Sequence, residues 1–178
     1  MIFETERLKL RELNMDDFKD LAEILQDKNV VYAYEHDFSD RDVHEWMERQ
    51  FNRYLKYGFG LWAVELKGSG EMIGQAGLTI QPYNDSEVLE IGYLLKKKFW
   101  HKGYATESAM GCKEYAFEVL KADKVYSIIK SDNYPSIRVA MSIGMSKESE
   151  FYTQYYGTKS LHYLFLSLIH ISEPTRPY

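Results

Sequence analysis

Apolar and polar residues alternate over residues 6–13, ERLKLREL, with Leu8 and Leu10 on one face, and this period of two predicts a first strand. The period then changes. Asn14 stands before Met15-Asp16-Asp17 as an N-cap followed by acids, and Phe18, Leu21, Ala22 and Leu25 continue at helical spacing to about Gln26. A less regular stretch, residues 29–38, carries Tyr32, Tyr34, Glu35 and His36. Ser39 caps a second helix with Asp42 in the capping-box position; Val43, Trp46, Met47, Phe51, Tyr54 and Leu55 form its expected buried stripe, and Gly58 ends it. Strands at 59–66 and 72–81 flank the turn Lys67-Gly68-Ser69-Gly70-Glu71, and after a loop at 82–85 another strand covers 88–95. A loop at 96–102 leads into a helix over about 103–120, then a strand at Lys124–Lys130 and a short helix at 136–143, opened by Asn133-Tyr134-Pro135 and closed by Gly144. Two last strands, about 145–156 and Ser160–Leu168, turn at Gly157-Thr158. The order is βααβββαβαββ. A helix between the strands at Val88 and Lys124 makes that pair a right-handed parallel crossover, and hairpins make the rest antiparallel. This predicts one mixed-sheet α/β domain without repeats or linkers.

Composition narrows the function classes. The chain has 178 residues, enough for one domain that buries roughly 70% of its unfolded surface. Its formal charge of −5 argues against a general nucleic-acid binder and mildly favours a cationic partner. Cys112 is the only cysteine, which excludes a disulfide framework or a zinc cluster and fits a reducing cytoplasm; no metal is expected. The first residues lack the order of a signal peptide, and no apolar run reaches the ~20 residues of a membrane span. The 15% aromatic content, with 15 Tyr, suits either strands around a core or a tyrosine-lined pocket.

The segment from Leu89 to Glu107 carries the chemistry. A strand runs into a basic loop, a glycine and then a helix, whose first-turn amides have no internal acceptors. Such a terminus suits a phosphate, with Gly103 allowing close backbone approach and Lys96, Lys97, Lys98 and Lys102 adding charge. A solvated connection explains the same loop without a ligand. Gly92, in mid-strand, weakens pairing unless a bulge or a ligand needs the space. Coenzyme A, a pyrophosphate with a long pantetheine arm, would explain both glycines.

Glu90-Ile91-Gly92-Tyr93-Leu94, Trp100-His101-Lys102-Gly103-Tyr104-Ala105-Thr106-Glu107, Asn133-Tyr134-Pro135-Ser136 and Gly144-Met145 together resemble the GNAT superfamily of acetyl-CoA-dependent N-acetyltransferases, in particular its RimJ/RimL-like branch. The resemblance extends from Thr5-Glu6-Arg7-Leu8 to about Phe165 and implies the GNAT fold, with split parallel strands in mid-sheet holding acetyl-CoA. It implies that the loop Lys98-Phe99-Trp100-His101-Lys102-Gly103, with Tyr104 and Ala105, holds the pyrophosphate through backbone amides; Lys98 stands where Arg or Gln is usual, and His101 replaces a glycine. Gly92, Tyr93 and Leu94 would pair with pantetheine and polarise the thioester carbonyl, and Asn133 would contact the arm. The tyrosine acid common in the family aligns with Ala140, so Ser136, three residues after the Asn, takes that role, with Tyr155 and Tyr156 as further candidates. Glu90, two residues before Gly92 and so on its strand face, is the candidate base. Tyr34, His36, Trp46 and Phe51 fall where the family shapes its acceptor pocket, while His162 reads as packed.

The reaction expected is direct acetyl transfer to a primary amine, on a small molecule or a protein N-terminus, by a monomer or homodimer. A non-catalytic acyl-CoA-binding module is the alternative that Ala140 suggests. The end of the chain, LSLIHISEPTR at 166–176, resembles a translated transposase adapter from sequencing libraries, so residues 1–165 are expected to form the domain and 166–178 a non-native tail. Leu168, Ile169 and Ile171 would still suit a strand extension.

Overall fold

The computed structural model describes residues 1–154, 156 and 159–169. Leu8 and Leu10 are both fully buried on β2 (Leu8–Arg11), as the alternation requires, and β1 (Phe3–Glu4) pairs antiparallel along its outer edge. Asn14 caps a 3₁₀ turn at Met15–Asp17 that runs into α1 (Phe18–Leu25), and Ser39 with Asp42 forms the capping box of α2 (Asp40–Tyr57). Then come β3 (Leu61–Leu66), β4 (Met72–Tyr83), β5 (Ser86–Leu95), α3 (Tyr104–Glu118), β6 (Lys124–Lys130), α4 (Tyr134–Ser142), β7 (Ser146–Thr153) and β8 (Ser160–Leu168). The single sheet has the order β1-β2-β3-β4-β5-β6-β8-β7.

Both faces of the sheet are covered, and β3 shows how. Trp62 and Val64 join a core with Ala109, Cys112 and Ala116 of α3, whereas Leu61 and Ala63 join a second core with Leu21 and Leu25 of α1 and Val43 and Met47 of α2. This explains why β3 reads as a continuous apolar run. Among the described residues no helix is long and apolar enough to cross a membrane, and no cluster of His, Cys, Asp and Glu could hold a metal ion.

Every neighbouring strand pair is antiparallel except β5 and β6, whose ladder shrinks to one register pair, Glu90 with Tyr126. Beyond it, side chains bridge the gap: the Ser127 hydroxyl donates to the Ile91 carbonyl at 3.0 Å, and the Ile128 amide donates to Glu90 Oε2 at 2.7 Å. The sheet opens there.

Three sequence expectations are corrected. The loop at 82–85 is absent: β4 and β5 continue to Tyr83 and Ser86, joined by Asn84 and Asp85, both at positive φ (46° and 59°). Two such residues make the tight turn that matches strand twist, and Pro82 is tolerated near the end of the long hairpin. Leu55 is 87% exposed, because the buried face of α2 is centred on Val43, Trp46, Met47 and the fully buried Gln50. The strand expected over 145–156 is shorter, Ser146–Thr153, with a register shift between Lys147 and Ser149. The last strand, β8, runs to Leu168 as expected, and the Ile169 amide donates to the Asp123 carbonyl. Residues 166–168 therefore complete the ladder with β6, and 170–178 lie outside the described residues, as does the turn expected at Gly157-Thr158.

Candidate active site

Two cavities meet where β5 and β6 separate. One, of about 460 Å³, is lined by Tyr34, Trp46, Glu90, Gly92 and Tyr156 among others; the other, of about 370 Å³, extends to Trp100, His101, Gly103, Tyr104, Ala105 and Thr106. Val30, Tyr93, Leu94, Asn133 and Ser136 line both, so the split in the sheet joins them.

The second cavity ends on the start of α3. Gly103 is the N-cap at φ 84° and gives no side-chain cap, so the first-turn amides of α3 have no side-chain partner, unlike those of α2 and α4. An anion is the natural acceptor for them. His101 also sits in the left-handed region, φ 62°, the conformation that the family's glycine would take at no steric cost. The loop is held from outside. Arg7 Nε lies 2.7 Å from Glu107 Oε1, Arg7 Nη1 donates to the Lys102 carbonyl at 3.0 Å, and the guanidinium covers the Tyr104 ring at 4.3 Å. Thr5 also donates to Glu107, whose carboxyl these bonds hold below its ordinary value against the opposing effect of burial.

The loop lysines do not serve as expected. Lys96 is buried and turned to α1, with Nζ 2.7 Å from Asp20 and 3.7 Å from Glu23, so its charge is spent on fastening the helix to the end of β5. Lys98 pairs with Glu71 at 3.4 Å, and neither Lys98 nor Lys102 lines a cavity. What this wall offers is backbone, together with the unforeseen Arg138 on α4.

At the junction, Asn133 caps α4, its Oδ1 accepting from the Ser136 amide at 3.4 Å, and Tyr93 Oη donates to the Ser136 carbonyl at 2.9 Å. Gly92 is not demanded by packing: a Cβ built there would meet only Leu61 Cδ2, at 3.5 Å. The same test at Gly77, its partner across the strands, gives a collision with the Gly60 carbonyl at 2.0 Å. The bare backbone at Gly92 therefore leaves open space in the cavity wall.

Glu90 faces the first cavity. Burial raises its carboxyl from 4.5 to about 7, against the Ile128 amide and the Arg53 guanidinium, which both favour the ionised form. Trp46 is oriented by its indole N–H, which donates to Gln75 Oε1 at 3.0 Å, and Tyr34 stands edge-on to Trp46, Phe38 and Tyr156. His36 lies behind this wall: it stacks on Tyr156 at 4.1 Å and contacts Asp42 at 3.0 Å, outside the cavity lining, where Phe51 is also absent. His162 is buried, as expected, with burial lowering its pKa, yet it also borders the cavity. Ala140 is fully buried in the core and offers no proton donor. Tyr155 lies outside the described residues.

A profile of the acetyltransferase (GNAT) domain matches residues 7–146. The chain belongs to the GNAT family. It is accordingly an acetyl-CoA-dependent N-acetyltransferase. The Bacillus subtilis protein YkkB, uncharacterised, is 35% identical over 142 residues, 79% of this chain and 83% of its own. YnaD of the same organism, an uncharacterised N-acetyltransferase, is 28% identical over 148 residues, covering 83% and 84%. Among solved structures, a GNAT-family acetyltransferase from Bacillus anthracis superposes with a TM-score of 0.78 at 26% identity over 93% of this chain and 96% of that one. Mycobacterium smegmatis RimJ in complex with CoA-disulfide shares the fold at a TM-score of 0.78 and 21% identity, covering 94% and 84%.

Two contributors escaped the sequence reading. Arg49 and Arg53 of α2 line the first cavity beside Glu90, and the Arg7–Glu107 pair braces the loop of the second. The arginines flank an apolar stripe and read as solvated helix surface; the pair is separated by 100 residues.

Proposed function

We propose that the protein moves an acetyl group from acetyl-CoA directly to a primary amine, with Glu90 as general base and Ser136 as proton donor, on a site of the RimJ/RimL-like kind. When bound, acetyl-CoA supplies the activated acetyl thioester. The uncapped amides of α3 and the backbone at His101–Ala105 suit its pyrophosphate, and Gly92–Leu94 with Asn133 suit the arm between the strands. The RimJ/RimL-like assignment rests on the Glu90–Leu94 and Asn133–Ser136 motifs.

The observation that carries the reading is Glu90. It is the one carboxylate among the described residues lining the first cavity, and its carboxyl is pushed to about 7. A base near that value is substantially ionised at neutral pH and still basic enough to accept a proton from an amine. In the transfer the amine nitrogen forms its bond to the acetyl carbon, the carbon–sulfur bond breaks, Glu90 takes the amine proton, and the Ser136 hydroxyl passes its proton to the departing sulfur as it receives one from solvent. The amides near Gly92 polarise the carbonyl.

The test pairs kinetics with binding. Glu90→Gln should lower kcat about 100-fold while calorimetry finds the acetyl-CoA affinity retained. An undiminished kcat removes Glu90 from the mechanism, and a lost affinity makes it a binding residue instead.

A further inference from the structure

We infer that the acceptor amine carries an anionic group, a carboxylate, and that Arg49 and Arg53 receive it. This rests on the acetyl-transfer reading and specifies the substrate class for the same site. The two arginines are one helical turn apart on α2, and both line the cavity that Glu90 faces. Like charges at that spacing repel. No direct ion pair offsets the repulsion: among the described residues neither guanidinium has a carboxylate within ion-pair distance, and Glu90 acts on Arg53 only from farther off. Arg53 donates only to the neutral Gln50 Oε1, at 3.0 Å, while Arg49 leans toward the Trp46 ring at 5.8 Å.

The comparison with the other cations sharpens the point. Lys130 also borders the cavity but is matched by Glu35 at 3.3 Å, and Arg7 and Lys96 have their own carboxylates. Arg53 is half-buried, and both its burial and the nearby Arg49 disfavour its charged state. Two guanidinium groups that line a cavity without a paired carboxylate, Arg53 half-buried and Arg49 exposed, suit an anion, and a carboxylate matches their geometry. Glu90, on the lining of the same cavity, attracts the amine. The site is therefore bipolar and suits an amino acid or similar aminocarboxylate. A polyamine would place a second ammonium near the arginines. The −5 charge of the whole chain points the other way, and the cavity overrides it.

The experiment measures acetyl transfer by the full chain to glycine, β-alanine, γ-aminobutyrate and α-amino acids. Each is set beside the amine of equal length lacking the carboxylate, and beside putrescine and spermidine. The best aminocarboxylate should exceed its matched amine at least tenfold in kcat/KM. Arg53→Gln should cut that ratio tenfold or more, mainly through KM, and Arg53→Lys should restore part of it. Equal use of matched pairs, or preference for the polyamines, overturns the inference while leaving acetyl transfer intact. A separate calorimetric titration with the N-acetyl derivatives of the same amino acids reads the anion site without turnover. Binding that Arg53→Gln weakens tenfold supports the site even if no amine is acetylated, in which case the transfer reading fails alone. No binding of any derivative, with no preference in turnover, overturns the site.

Discussion

Glu90 serves two demands that oppose each other. Its half-buried carboxyl is more stable neutral, yet a base must be ionised. In the unfolded chain the group has its ordinary value of 4.5, and folding raises it to about 7. Between these values the folded protein holds a proton that the unfolded chain has released. The resulting stabilisation is fully present below about pH 4.5 and is lost as pH rises through 7. The loss is at most about 3.5 kcal/mol at roughly 1.4 kcal/mol per pH unit. Glu90→Gln, which keeps an acceptor for the Ile128 amide, should therefore melt with the wild type at pH 4 and above it at pH 8. Parallel melting temperatures across that range would show that the carboxyl titrates normally. His101 poses a different conflict, a side chain in a left-handed backbone. His101→Gly should gain about 0.5–1 kcal/mol in urea unfolding, the steric relief exceeding the added chain entropy. It should also retain acetyl-CoA affinity, because the amides that matter there belong to the backbone.

At the scale of elements, the strand β5 and the start of α3 form one binding surface, and each has a testable device. The space at Gly92 means that Gly92→Ala should fold with little change in melting temperature and yet weaken acetyl-CoA at least tenfold, since the methyl group enters the cavity wall. A destabilised variant with normal affinity would make Gly92 a packing residue. These elements were legible because their signals are local: a glycine in mid-strand, a glycine before a helix, and the Asn133 cap. The same locality explains the misses. Asn84-Asp85 makes a two-residue turn, but Pro82 beside it suggested a longer loop, and only the register of β4 against β5 decides between them. Lys96 looked like one of four loop cations until α1 brought Asp20 to it across 76 residues. Arg49 and Arg53 gave no signal, because periodicity separates buried from exposed positions but cannot tell a cavity from bulk water.

For the whole molecule, the decisive feature is that the sheet consists of two antiparallel parts, β1–β5 and β6-β8-β7, joined edge to edge by one register pair and two side-chain bridges. Packing from α3 and α4 adds to that junction, and the shared core includes Ala109 of α3 and Ala140 of α4. A ligand seated in the split would contact both parts. Binding to the native state alone stabilises by about 2.7 kcal/mol at 100 times the dissociation constant. For a domain of this size that corresponds to a rise of roughly 5–10 °C in melting temperature. Thermal denaturation with acetyl-CoA should show that rise. Ser127→Ala, which removes the bridge to Ile91, should lower the melting temperature of the unliganded protein and leave a larger share of the remaining stability to the ligand. A ligand that binds in calorimetry but leaves the melting temperature unmoved would have to bind the unfolded chain as well, because any occupant of the folded protein alone stabilises it.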